Sequence, residues 1–156
     1  SEYILSNIYK TKIIGWHHEG RNGILSKEVK KSHGRRYTST KWNGQSQPYQ
    51  DIDKQYNCYL KDGYNDLFFK KIKSHTPHMG VWVTCFVAFL YKDKDVKNFL
   101  DMWYLQTLTY TTQDQIGFSY VCQKRNMIPF TLPNNKISGS RPHKNTMFYI
   151  KQKHGI

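Results

Sequence analysis

Residues 81–91 read Val-Trp-Val-Thr-Cys-Phe-Val-Ala-Phe-Leu-Tyr, and a few residues later the apolar spacing changes to that of a helix. The first run is β-branched and aromatic throughout, which suits a pleated, packed strand. Its nearly continuous apolarity predicts burial on both faces. After Lys92-Asp93-Lys94-Asp95, with Asp95 as the expected N-cap, Val96, Phe99, Leu100, Trp103, Tyr104 and Leu108 recur on one helical face. A strand feeding directly into an amphipathic helix selects an α/β fold. The run itself is too short to span a bilayer and contains Thr84.

The remaining chain reads as short elements around that unit. Residues 2–5 and 12–16 are expected strands, followed by a polar, glycine-containing loop over residues 17–23. His17 and His18 are adjacent, so on a strand they face opposite sides and cannot jointly hold one metal ion. A Lys-rich helix is expected over residues 26–32. Residues 33–47 read as a flexible basic loop, suited to an acceptor-side lid, with Arg35 and Arg36 as anion contacts. Residues 47–62 predict a helix with Ile52, Tyr56, Tyr59 and Leu60 on one face and Gly63 at its C-terminal end. Residues 64–73 form a connector, 136–143 a polar loop and 146–150 a last strand. A chain of 156 residues is expected to form one domain over residues 1–156.

The balance of 24 Lys plus Arg against 11 Asp plus Glu gives a formal charge of +13, which favours an anionic partner. The aromatic fraction of 15% includes 12 Tyr, whose rings and hydroxyls suit sugar and base recognition as well as cores. Cys58, Cys85 and Cys122 lack metal-ligand spacing and are odd in number, which points to a reducing compartment and a cytoplasmic location. The N-terminal Ser-Glu-Tyr-Ile-Leu-Ser has no basic region and no long apolar run, so no signal peptide or membrane span is expected. It begins without Met, which is expected of a piece of a longer chain.

Asp114 and Gln115 stand at the start of a helical apolar pattern set by Ile116, Tyr120 and Val121, beside the small residues Gly117 and Ser119. A carboxylate accepts hydrogen bonds and an amide both donates and accepts, which matches an array of sugar hydroxyls. The competing role for Asp114 is a simple helix cap.

Several features then occur in order. They are His18-Glu19-Gly20-Arg21 with Glu28; Gln55, Tyr59 and Gly63 in the following helix; the strand after Gly80; the helix with Trp103 and Tyr104; and Gln113-Asp114-Gln115 with Phe118, Tyr120 and Val121. This ordered set resembles a family of nucleotide-sugar glycosyltransferase-like domains found in plants, bacteria and large algal viruses. That family is similar to retaining GT-A enzymes of the glycogenin and galactosyltransferase type. The Tyr- and Lys-rich composition resembles a chlorella-virus capsid glycosyltransferase domain, which implies a viral protein in a host cytoplasm.

The resemblance covers the chain from about His17 to Pro133. It implies a GT-A-like mixed sheet flanked by helices, with part of the nucleotide-binding half lying ahead of Ser1. It implies metal-assisted transfer from a nucleoside-diphosphate sugar, a UDP-sugar by expectation, to a glycan or glycoprotein acceptor. Asp114 and Gln115 match the sugar contacts near the anomeric carbon. Arg21 faces the diphosphate or pairs with Glu28; Thr84 and Trp82 line the donor pocket or belong to the core; Lys153 lies near the phosphates. The family holds Mn²⁺ (or Mg²⁺) through an Asp-x-Asp expected ahead of Ser1 and a C-terminal His, here His154 or else His143. Asp93-Lys94-Asp95 follows a strand but aligns with a helix cap, and Asp51-Ile52-Asp53 lies inside an expected helix. The competing functions are a basic nucleic-acid-binding module and a noncatalytic carbohydrate-binding or assembly domain. No nucleic-acid motif is present, and a nucleic acid is the less expected partner.

Overall fold

The computed structural model describes residues 2–72 and 79–132 and the backbone of two further two-residue strands. In chain order the elements are α1 (Glu2–Thr11), β1 (Ile13–His17), a 3-10 turn (Glu19–Arg21), α2 (Leu25–Ser32), a second 3-10 turn (Arg36–Thr38), β2 (Lys41–Trp42), β3 (Gln45–Ser46), α3 (Ile52–Lys61), α4 (Leu67–Lys71), β4 (Trp82–Phe89), α5 (Lys94–Thr109), α6 (Asp114–Arg125), β5 (Phe130–Leu132), β6 (Ile137–Ser138) and β7 (Phe148–Tyr149). The mixed α/β class is as expected. The main sheet has the order β4-β1-β5, with β1 antiparallel to β4 and parallel to β5.

Successive residues of a strand point to opposite faces, and β1 uses both. Ile13 joins a large core with residues of α2, α3, α5 and α6, including Val29, Tyr59, Phe99 and Phe118. Ile14 joins a smaller core with Ile8, Phe130 and Leu132, roofed by Tyr3 and Ile4 of α1. The sheet is therefore sandwiched between α1 and the other helices. Gly15 gives the Trp82 ring room to lie over β1, since a Cβ there would sit 2.7 Å from the Trp82 ring. Trp82 is fully buried, and its indole N–H donates to Thr131 Oγ1 at 2.9 Å.

Five expectations change. Residues 2–5 open a helix, not a strand: Asn7 Nδ2 donates to the Tyr3 carbonyl at 2.8 Å, one turn apart. Strand β4 is not buried on both faces. Within it only Trp82 is buried, because β4 lies at the edge of the sheet. The N-cap of α5 is Asp93, whose carboxylate accepts from the N–H groups of Asp95 and Val96. On α5, Val96 and Phe99 are buried, but Tyr104 and Leu108 are each 65% exposed, so the core stripe ends about one turn earlier than the apolar spacing suggests. Helix α3 likewise begins at Ile52, capped by Asp51, and leaves Leu60 exposed.

Helix α6 is the most enclosed. Every residue from Ile116 to Cys122 is buried, which is why it lacks a polar face. Gly117 brings α5 close, since a Cβ there would sit 3.1 Å from the Gln106 Cβ. Phe118 packs edge-on against Trp82, Phe99 and Trp103 at ring separations of 5.7, 5.3 and 4.9 Å. Tyr120 stacks on Tyr59 at 3.9 Å. A helix locked on all sides holds its N-terminus, and Asp114 with it, in a fixed position.

Candidate functional site

Asp114 is the first residue of α6, and Gln113 occupies the cap position without a side-chain cap bond. The Trp103 indole N–H donates to the Asp114 carbonyl at 2.9 Å, pinning the turn to α5. The Thr84 hydroxyl and the backbone N–H groups at the helix start lie near enough to the Asp114 carboxylate to favour its charged form. Thr84 lies in an irregular stretch of β4. Gly15 pairs with Val87 and the next residue, Trp16, pairs with Val83, so Thr84, Cys85 and Phe86 have no register partner on β1. A bulge of this kind re-aims side chains, and β4 packs against α6.

Burial raises the Asp114 carboxyl above its ordinary value; the Thr84 bond, the backbone N–H groups and the Arg36 charge oppose the shift without cancelling it. The carboxylate is thus poorly solvated, and the polar groups beside it leave acceptor capacity over. Such a group favours an added donor or a nearby positive charge. Gln115 beside it is half-buried, and its side-chain amide makes no hydrogen bond to a described residue. The neighbouring Cys85 is exposed, but burial and the Asp114 charge push its thiol up, which leaves it a poor nucleophile.

Replacing Thr84 with valine removes a donor that favours the ionised form. The Asp114 carboxyl is therefore expected to titrate at a still higher pH, as read by carboxyl carbon NMR against the unchanged protein. A value that stays put or falls would deny the bond its role. The sign for stability also follows. The fold binds this proton more tightly than the unfolded chain does. The contribution of Asp114 is therefore most favourable at low pH and diminishes as pH rises from the ordinary carboxylate value through the folded one.

Behind Asp114 lies a buried polar network. Glu28 has no exposure and accepts from Arg21 Nε and from Gln113 Nε2, the latter at 2.8 Å. Gln113 Nε2 also reaches Ser32 Oγ at 2.9 Å, and the Gln113 N–H donates to Thr111 Oγ1 at 3.2 Å. Thr111 donates to Gln55 Oε1, and Gln55 Nε2 donates to the Tyr59 hydroxyl at 2.8 Å. His18 Nε2 stands 3.7 Å from Glu28. Burial, then the Arg21 charge, pushes its imidazole down, which favours the neutral form. Each of the buried polar groups in this network finds a partner, as interiors require, and together they tie α2 and α3 to the residue preceding Asp114.

No known protein family, curated protein or solved structure matches this chain.

Of the residues singled out from the sequence, Asp114, Gln115 and Thr84 come together. Arg21 takes its ion-pairing alternative, with 7% exposure against Glu28. Trp82 takes its core alternative and has no free ring face. His143, Lys153 and His154 lie outside the described residues. Glu28, Gln55, Tyr59 and Gln113 belong to the ordered pattern, and the structure shows them as one connected network. Ser32 and Thr111 complete it; nothing in their local sequence marks them, because their partners stand 81 and 56 residues away.

Two further observations bound the chemistry. Among the described residues, no three His, Cys, Asp or Glu side chains group as a metal site, so these residues do not by themselves fit the expected Mn²⁺. An open groove of about 510 Å³ lies elsewhere, between Lys10, Lys12, Asp95, Arg125 and Ile128. Arg125 is the last residue of α6, roughly 16 Å along the helix from Asp114. The groove therefore serves no chemistry at Asp114. No helix among the described residues is long and apolar enough to cross a membrane.

Proposed function

We propose that the chain is a glycosyltransferase of GT-A type that moves a sugar from a nucleoside-diphosphate donor to a glycan or glycoprotein acceptor. The observation that carries this reading is the meeting of Asp114 with Thr84 across α6 and β4, beside the uncommitted amide of Gln115. Positive charge develops on a sugar ring as its bond to phosphate loosens. A preorganised carboxylate in a poorly solvated site stabilises that charge more than water does. Asp114 takes this role. Gln115 donates to and accepts from ring hydroxyls, and Thr84 holds the carboxylate in place. The Gln113–Glu28–Arg21 network orients the turn behind it without touching substrate.

Mn²⁺ or Mg²⁺, if bound, would supply positive charge to offset that of a departing diphosphate. Its ligands have to come from outside the described residues, where His143 and His154 lie, and no step here is routed through it. The test is to incubate the protein with a panel of nucleoside-diphosphate sugars and follow release of the nucleoside diphosphate, with and without Mn²⁺. Metal-dependent release, accelerated by acceptor, is expected. Failure of every donor both to turn over and to raise the melting temperature would overturn the reading.

A further inference from the structure

Residues 37–50 form a closed loop against the site that the catalytic reading does not use. At its start, the charge of Arg36 reaches the Asp114 carboxylate and that of Arg35 reaches His18. At its end, Gln50 Oε1 accepts from the backbone N–H and the hydroxyl of Thr112, at 2.6 and 3.0 Å, two residues before Asp114. The Gln50 N–H donates to the Tyr37 carbonyl and the Gln47 N–H to the Thr40 carbonyl, each at 2.9 Å. Gln47 Nε2 donates to the carbonyls of Arg36 and Ser39. Beyond these bonds, β2 and β3 are joined through Asn43 and Gly44, both left-handed at φ 50 and 77, as a two-residue hairpin turn requires.

The loop holds two aromatic rings in solvent, Trp42 at 44% and Tyr49 at 54% exposure. Between Val29 and Gln50 the chain carries five Lys and Arg and no Asp or Glu. Among the described residues Arg35, Arg36 and Lys41 make no ion pair. The Arg36 guanidinium is propped over the Tyr37 ring at 5.0 Å. An exposed indole face packs on the C–H face of a pyranose, and an unpaired guanidinium takes a carboxylate through two parallel hydrogen bonds.

We infer that this loop is an acidic-saccharide subsite on the acceptor side of Asp114. Trp42 stacks on a sugar ring, and Arg36 holds a uronate carboxylate. The assignment to the acceptor side rests on the glycosyl-transfer reading; the binding itself does not. A neutral glycan leaves the cations unused. A saccharide held by its carboxylate on Arg36 still has neutral hydroxyls to turn towards Asp114, whereas the backbone of a nucleic acid offers a charged phosphate at every linkage.

The test is calorimetric titration of the whole chain at physiological salt with tetragalacturonate, with neutral maltotetraose and with a short oligothymidylate. Tetragalacturonate is expected to bind at least about tenfold more tightly than maltotetraose. Arg36→Gln and Trp42→Ala should each weaken it about tenfold, with circular dichroism unchanged, while Lys30→Gln combined with Lys31→Gln on α2 alters it less than about twofold. Equal affinity for the neutral sugar, an equal loss from the α2 pair, or no binding would overturn the inference. Tighter oligothymidylate binding through the same two residues would replace the saccharide with a nucleic acid. These titrations need neither donor nor turnover, so they fail or succeed independently of the transferase reading.

Discussion

Arg21→Ala is expected to destabilise the protein by about 3–5 kcal/mol, the typical cost of leaving one member of a buried ion pair without its partner. Glu28 has no exposure, and Arg21 is 7% exposed. Water cannot replace the guanidinium once it is gone. Gln113 and Ser32 still face the carboxylate, but neither carries charge. Urea unfolding should show a lower midpoint with an unchanged slope. Adding Glu28→Gln to Arg21→Ala should recover part of the loss, because a neutral amide is far less costly to bury than an orphaned carboxylate.

The loss should also depend on pH, with a definite sign. Arg21 is the second cause, after burial, that keeps His18 from charging. Without Arg21 the imidazole titrates higher, and its charged form stands 3.7 Å from Glu28. The variant should therefore be less impaired at pH 5 than at pH 8. A loss under about 1 kcal/mol, or one that grows as pH falls, would contradict the buried-pair account. Because Gln113 bridges Glu28 to the start of α6, the same variant should loosen Asp114 as well.

The sequence shows some of this and hides the rest for physical reasons. The β4-to-α5 unit, α2, α3 and α6 are legible because apolar spacing is a local property. Residues 2–5 mislead because a run as short as Tyr3-Ile4-Leu5 carries no period; the helix shows only when Ile8 is seen to pack with Ile14 and Phe130. Burial of β4 is overstated because apolarity reports what a strand tolerates, not how many neighbours it has. The Asn43-Gly44 hairpin has Trp42 as its one apolar neighbour, so no alternation frames it as strands. At the site, Asp114 and Gln115 stand out as a pair before any fold is known. Their contact with Thr84 does not, since it depends on a bulge that local spacing does not encode. The Arg21 alternatives are separable only by burial, which decides for Glu28.

Asp114→Asn is expected to reduce sugar transfer by about 10²–10³-fold, the usual loss on removing one preorganised electrostatic contact from a transition state, while leaving the fold at least as stable. The two halves of this prediction have separate causes. The substitution keeps size and shape, and the amide oxygen still accepts from a backbone N–H. What disappears is a charge that burial already disfavours, as its raised titration shows. Removing it from the ground state therefore costs little or stabilises. In the transition state the same charge faces a ring that has become positive, and there its loss is felt in full. Stability and turnover should move in opposite directions, the pattern expected where a strained group is kept for function. A helix cap behaves otherwise: losing one lowers stability by about 0.5–2 kcal/mol and touches turnover only through unfolding. Melting and initial rates measured on one preparation separate the cases. A lower melting temperature with an unchanged rate per folded molecule would make Asp114 a cap and remove the basis for transfer at this site.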